Sequence, residues 1–147
     1  MTRYQKIMLA LDFHSDNQAV IDKGQQLAQD HGATLLLVHV MEPISNAYAV
    51  DGLDFSDQVI AMMDNVRRNY QAKLDDIGTR LKLTQEQRLL IEGNAADEIT
   101  RAATDHQADL IVMGSHSRSG LRLLLGSTAN SVLHHAPCDV LMVRLKN

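Results

Sequence analysis

The sequence predicts one α/β domain over residues 1–147, a doubly wound five-stranded parallel sheet with helices on both faces. Three observations predict it. Short, near-continuous apolar runs, which suit strands buried on both faces, alternate with segments of helical period. No hairpin turn signal separates successive runs. The length of 147 residues matches a single domain able to bury a full core.

The strand runs are Ile7 to Leu11, Ala33 to Val40, Gln87 to Ile91, Asp109 to Met113 and Cys138 to Leu145, each bounded by polar or glycine residues. Between the first two, Val20, Gly24, Leu27, Ala28 and His31 share one helix face. A Ser15-x-x-Gln18 capping-box pattern opens that helix and Gly32 closes it. Val59, Met63, Val66, Tyr70, Leu74, Ile77 and Leu81 step by three or four, which predicts a long second helix with a continuous apolar stripe; Met62 and Met63 are expected in its core. Ala95, Ile99, Ala102 and Ala103 predict a third helix. Thr128, Ser131, Val132, His135 and Ala136 predict a fourth, stopped by Pro137. Met41 to Phe55 carries no period and is expected to be a flap over the sheet edge. Right-handed crossovers then leave ligand sites at the carboxyl ends of the strands, in the crevice between the first and fourth.

Composition narrows the function. Fourteen basic against 18 acidic residues leave a net charge of −4, and aromatics make up 3 % of the chain, which argues against a nucleic-acid binder. The lone Cys138 excludes an internal disulfide framework and leads us to expect a reducing, cytoplasmic compartment. The first apolar run spans five residues and stops at Asp12, too short for a signal peptide, and nowhere do 18 apolar residues follow one another.

Two places carry candidate chemistry. Asp12 ends the first strand, where its carboxylate can accept from a sugar hydroxyl or a base amine; alternatively Asp12 or Ser15 simply caps the first helix. After the fourth strand, Gly114-Ser-His-Ser-Arg-Ser-Gly120 leads through Arg122 to Gly126-Ser127-Thr128 at the start of the fourth helix. Helix N–H groups, two hydroxyls and the positive end of the helix dipole converge there, which is the chemistry of a phosphate site, with Arg118 and Arg122 adding charge. The plainer alternative is a glycine-rich turn with Ser127 or Thr128 as an N-cap.

Other signatures fail. No G-x-x-x-x-G-K-[ST] occurs, and Phe13 to Asn17 contains no glycine, which removes a Walker loop and a dinucleotide fingerprint. A receiver domain needs paired acids after the first strand, and Asp12 is followed by Phe13. His134, His135 and Cys138 lack the second cluster that zinc requires. Ser115 and His116 near Asp109 lack a nucleophile elbow.

These segments resemble the universal stress proteins. The resemblance runs through Lys6-Ile-Met-Leu-Ala-Leu-Asp12, Leu37-Val-His-Val-Met41, Glu92-Gly-Asn-Ala-Ala-Asp-Glu-Ile99, Asp109-Leu-Ile-Val-Met-Gly-Ser-His116 and Gly126-Ser-Thr-Ala-Asn130, and on into Ala136-Pro-Cys-Asp-Val-Leu-Met-Val143. It implies a Rossmann-like sheet of order 3-2-1-4-5, of the adenine nucleotide alpha hydrolase-like type, and a homodimer through the last strand, Asp139 to Leu145. In one branch it implies binding of ATP, ADP or AMP, with or without Mg2+, by proteins carrying G-x2-G-x9-G-[ST]. Gly114 matches the first glycine and Gly126-Ser127 the last pair; Ser117 stands where the second glycine belongs, and 11 residues separate Gly114 from Gly126 where the pattern has 12. The other branch lacks the glycines and does not bind ATP; Gly126-Ser127-Thr128 places this chain nearer the binders. By the same resemblance Asp12 and the Val40 main chain would meet adenine or ribose, and Met113 and Gly114 would line the crevice. Gly126, Ser127 and Thr128 would hold phosphate, with Arg118 at the periphery. The expected role is a stress-response sensor or regulator without committed catalysis. A protein acting through protein–protein contacts alone is the alternative, and a slow ATPase is a third reading.

Overall fold

The computed structural model describes residues 3–13, 17–43, 57–115 and 126–145. Along the chain it contains β1 (Lys6–Ala10), α1 (Gln18–His31), β2 (Thr34–Met41), α2 (Asp57–Arg80), a short 3₁₀ turn (Gln85–Gln87), β3 (Arg88–Glu92), α3 (Ala95–Asp105), β4 (Leu110–Gly114), α4 (Ser127–His135) and β5 (Asp139–Val143). The strands form one sheet of order β3-β2-β1-β4-β5, and all four pairings are parallel. The alternation of apolar runs and helical periods is therefore realised as a doubly wound sheet.

Each strand is apolar along its length because both of its faces are covered. On one face Ile7, Leu9, Leu35, Leu37 and Val112 meet Val20, Ile21 and Ala28 of α1 and Leu74 and Ile77 of α2. On the other, Met8, Ala10, Leu36, Val38 and Ile111 meet Ala96, Ile99, Ala102 and Ala103 of α3 and Ala129 and Val132 of α4. Ile7, Met8, Leu9, Leu37, Val38, Ile111 and Val112 are fully enclosed, and each such side chain contributes about 1.5–3 kcal/mol of burial.

The element ends follow local chemistry. Gly32 terminates α1 in the left-handed region at φ 64°, and Ala33 N–H then donates to the Ala28 carbonyl at 2.8 Å. Asn94 caps α3 by accepting from Asp97 N–H at 3.0 Å. Of the capping box expected at Ser15 and Gln18, Ser15 lies outside the described residues; α1 starts at Gln18, Asn17 is its N-cap, and the Asn17 amide donates to the Asp12 carbonyl. Gln18, the first residue of the helix, donates to Asp22 at 2.8 Å. A box-like return does occur before β3, where the Gln87 side chain accepts from Thr84 N–H at 2.8 Å and donates to the Leu35 carbonyl at 2.9 Å.

The stripe expected along α2 is corrected. The stripe positions Val59, Met63, Val66 and Tyr70 are only half-buried and Leu74 and Ile77, near the helix end, are buried, while Met62, expected in the core, is 37 % exposed and Ile60 45 %. Twenty-four helical residues span about 36 Å, and the five-residue strands below them span only about 17 Å. The first half of α2 therefore overhangs the carboxyl end of the sheet. The flap expected over Met41 to Phe55 lies outside the described residues, except that Met41 ends β2 and Glu42 and Pro43 follow it.

Candidate functional site

The crevice forms where β1 stops short. Its last pairings are Ala10 with Val38 of β2 and Ala10 with Met113 of β4, whereas β2 runs on to Met41 and β4 to Gly114. Asp12 follows two residues on, after Leu11, half-buried at the mouth between the two longer strands. Val40 is buried on one side, paired with Ile91 of β3, and Met113 is buried on the other.

Gly114 and the start of α4 form the opposite wall. A Cβ on Gly114 would lie 2.7 Å from Leu145 Cδ1, so glycine here lets Leu145 fold back over the end of β4. Gly126 is the buried N-cap of α4, and its N–H donates to the Ser115 carbonyl at 3.0 Å, tying the helix start to the end of β4. Asn130 N–H makes the first helical bond, to the Gly126 carbonyl at 2.8 Å. Helix geometry thus leaves the N–H groups of Ser127, Thr128 and Ala129 without intrahelical acceptors, at the positive end of the dipole. Gly126, as the N-cap, supplies no side-chain cap hydrogen bond. Ser127 and Thr128 are the first two helical residues and Gly126 is the cap, which corrects the cap position in the plainer reading of the turn.

The structure therefore brings Asp12, Val40, Met113, Gly114, Gly126, Ser127 and Thr128 to the carboxyl ends of β1, β2 and β4. Arg118, with Ser117, Gly120 and Arg122, lies outside the described residues. Among the described residues no group of three or more His, Cys, Asp or Glu side chains could hold a metal. No described helix is long and apolar enough to cross a membrane.

Sequence reasoning passed over an aromatic cluster beside the crevice. His39, 5 % exposed, is a polar residue buried in an otherwise apolar strand. Its Nδ1 lies 2.8 Å from the Leu11 carbonyl, an acceptor only, so Nδ1 carries the hydrogen. Phe13 packs on the imidazole at 4.2 Å and Tyr70 of α2 at 4.8 Å, with Lys73 Nζ 5.9 Å and 5.7 Å from the Phe13 and Tyr70 rings. A histidine inside Leu37-Val-His-Val40 was the available signal, because a buried polar group in an apolar run needs a partner.

The model of the universal stress protein family matches residues 3–144. The chain belongs to the universal stress protein family. It is 37 % identical to universal stress protein A homolog 2 of Coxiella burnetii over 99 % of both chains, and 34 % identical to homolog 1 of the same organism over 97 % of this chain and 98 % of that one. Among solved structures, hypothetical protein MJ0577 superposes with a TM-score of 0.78 over 99 % of both chains; at 22 % identity this likeness shows the fold alone. A universal stress protein solved in complex with cAMP matches with a TM-score of 0.67 and 25 % identity, covering 97 % of this chain and 98 % of that one.

Proposed function

We propose that this universal stress protein binds an adenine nucleotide in the crevice at the carboxyl ends of β1, β2 and β4, and acts as a homodimeric sensor or regulator in stress physiology. The observation that carries the reading is the Gly126 N–H bond to Ser115, which fixes three helix N–H groups without intrahelical acceptors at the strand ends. An anionic phosphate is the natural occupant of such a helix mouth. Asp12 would accept from ribose hydroxyls or the adenine amine, the Val40 main chain would meet the base, and Met113 and Gly114 would line the crevice. Gly126, Ser127 and Thr128 would hold phosphate with Arg118 at the edge. The relative solved with cAMP carries an adenine nucleotide, which supports the ligand class.

The protein is read as a binder and not a catalyst. Of the residues named here Asp12 is the one carboxylate, whereas efficient phosphoryl transfer needs a placed base and metal-holding acids. Assembly is read as antiparallel pairing of two β5 strands, Asp139 to Leu145, about a two-fold axis. β5 is a sheet edge whose residues Val140 to Val143 are all only partly buried, and self-pairing satisfies its open N–H and C=O groups. The reducing cytoplasm suits the free, half-buried Cys138 thiol. A second reading, action through protein contacts without nucleotide, is favoured by exposed Ile60 and Met62 on the overhanging half of α2.

Calorimetric titration with ATP, ADP and AMP, with and without Mg2+, separates the two. Ser127→Pro supplies the control: proline is tolerated at the first helical position, and Gly126 at φ −61°, ψ 152° already has the backbone that precedes proline. The substitution deletes one N–H and one hydroxyl at the helix mouth, and about tenfold weaker binding is expected. No heat at millimolar nucleotide would favour the second reading.

A further inference from the structure

The β1–β2 ladder ends in an unusual way. Leu11 N–H donates to the Val38 carbonyl at 2.9 Å, so Val38 directs its main-chain groups toward β1. Main-chain direction alternates along a parallel strand, so Val40 also faces β1, while Met41, whose carbonyl accepts from Gly93 N–H, faces β3. A regular ladder would continue with Val40 N–H donating to the Leu11 carbonyl. Instead that carbonyl accepts from His39 Nδ1 at 2.8 Å, and Leu11 stands outside the strand. Among the described residues no acceptor takes the Val40 N–H. Val40 is 9 % exposed, and a main-chain donor left idle at such burial is uncommon and is completed by a water or a ligand at the open strand end.

We infer that His39 is a positioning residue: its imidazole replaces the Val40 N–H at the Leu11 carbonyl and so holds the Val40 main chain open as an edge for a nucleobase. The N–H and C=O of one extended residue lie side by side, and they complement a base edge with a ring-nitrogen acceptor beside an exocyclic amine donor, as adenine presents. Phe13 and Tyr70 pack against the imidazole at tilts of 31° and 40° and limit its rotation, so α2 contributes to the site through His39. The identity of the ligand rests on the nucleotide reading above; the exchange of the ladder bond does not.

Two variants and two readouts test this. His39→Leu removes the donor, and the Leu11 carbonyl is then free to recapture the Val40 N–H. His39→Asn places an amide N–H near the position of Nδ1. In the wild type without ligand, the Val40 amide should exchange with solvent at least about tenfold faster than the Val38 amide. In His39→Leu the Val40 amide should become protected while ATP affinity falls about tenfold, and His39→Asn should stay near wild type in both. A merely structural histidine would give the reverse, lost protection along β1 and β2. A wild-type Val40 amide as protected as Val38, or a folded His39→Leu with unchanged exchange and affinity, overturns the inference. Should His39→Leu not fold, the wild-type exchange pattern and His39→Asn decide it. If the wild type binds no ATP, the nucleotide reading falls, and the exchange pattern alone upholds or overturns the role of His39 on the ladder.

Discussion

At Arg88 a guanidinium is folded under α2, its side chain 9 % exposed. Nη2 donates to the Leu83 carbonyl at 2.7 Å, and Nη1 lies 3.3 Å from both the carbonyl and the carboxylate of Asp75. Nε is buried without a partner and sits where a Cβ on Gly78 would collide with it. Arg88→Ala leaves the Leu83 carbonyl unpaired and should cost about 2 kcal/mol in urea denaturation. Gly78→Ala displaces the same guanidinium, so the double variant should lose clearly less than the sum of the two. At the opposite edge of the sheet, burial, and then the charges of Asp139 and Asp109, push the Cys138 thiol above its ordinary value of 9.0. The hydrogen bond to Asp139 at 2.7 Å raises Tyr4 in the same direction. Raised acids keep their protons longer in the native state than in the unfolded chain, so their stabilisation is complete below the ordinary values and is lost as pH climbs through the native ones. Stability should therefore fall above about pH 9, and Cys138→Ala should flatten that slope in denaturation curves collected across the alkaline range.

At the scale of elements, α1 rests on β1 through Gly24, where an added Cβ would strike the Leu9 side chain, itself fully enclosed. Gly24→Ala should destabilise by about 1–3 kcal/mol, seen as a lower denaturation midpoint with unchanged slope. The strands were legible in the sequence because both faces are covered and the apolar runs are nearly unbroken. Their ends were displaced by about one residue for reasons no period contains. The Leu11 carbonyl is taken by a side chain, and the Asp109 carboxylate accepts from Gln5 and Lys6 N–H before β4 begins. In α2 the period identified the apolar face but not how far it overlies the sheet, since that depends on helix length against strand length. The crevice residues were legible as strand ends and a helix start. His39 was not, because its role depends on which carbonyl lies within reach of its ring in three dimensions.

For the whole molecule, two edges limit the sheet, β3 and β5. Leu89 to Ile91 and Val140 to Val143 are half-buried on them, and β5 carries the proposed two-fold pairing. Met142→Pro removes a donor from that ladder and should give monomer or aggregate by light scattering, against the dimer expected of the wild type at micromolar concentration. A dimer of unchanged affinity would move the interface elsewhere. The central claim, that the strand ends around Asp12 and α4 form a nucleotide site, is tested most directly by titrating isotope-labelled protein with ATP and following its amide resonances. Saturable shifts centred on Leu11–Phe13, Val40–Met41, Met113–Ser115 and Gly126–Ala129, with Arg118 at their edge, are predicted. No saturable shift at millimolar ATP, or shifts centred on the outer face of α2 or on β5, would contradict it.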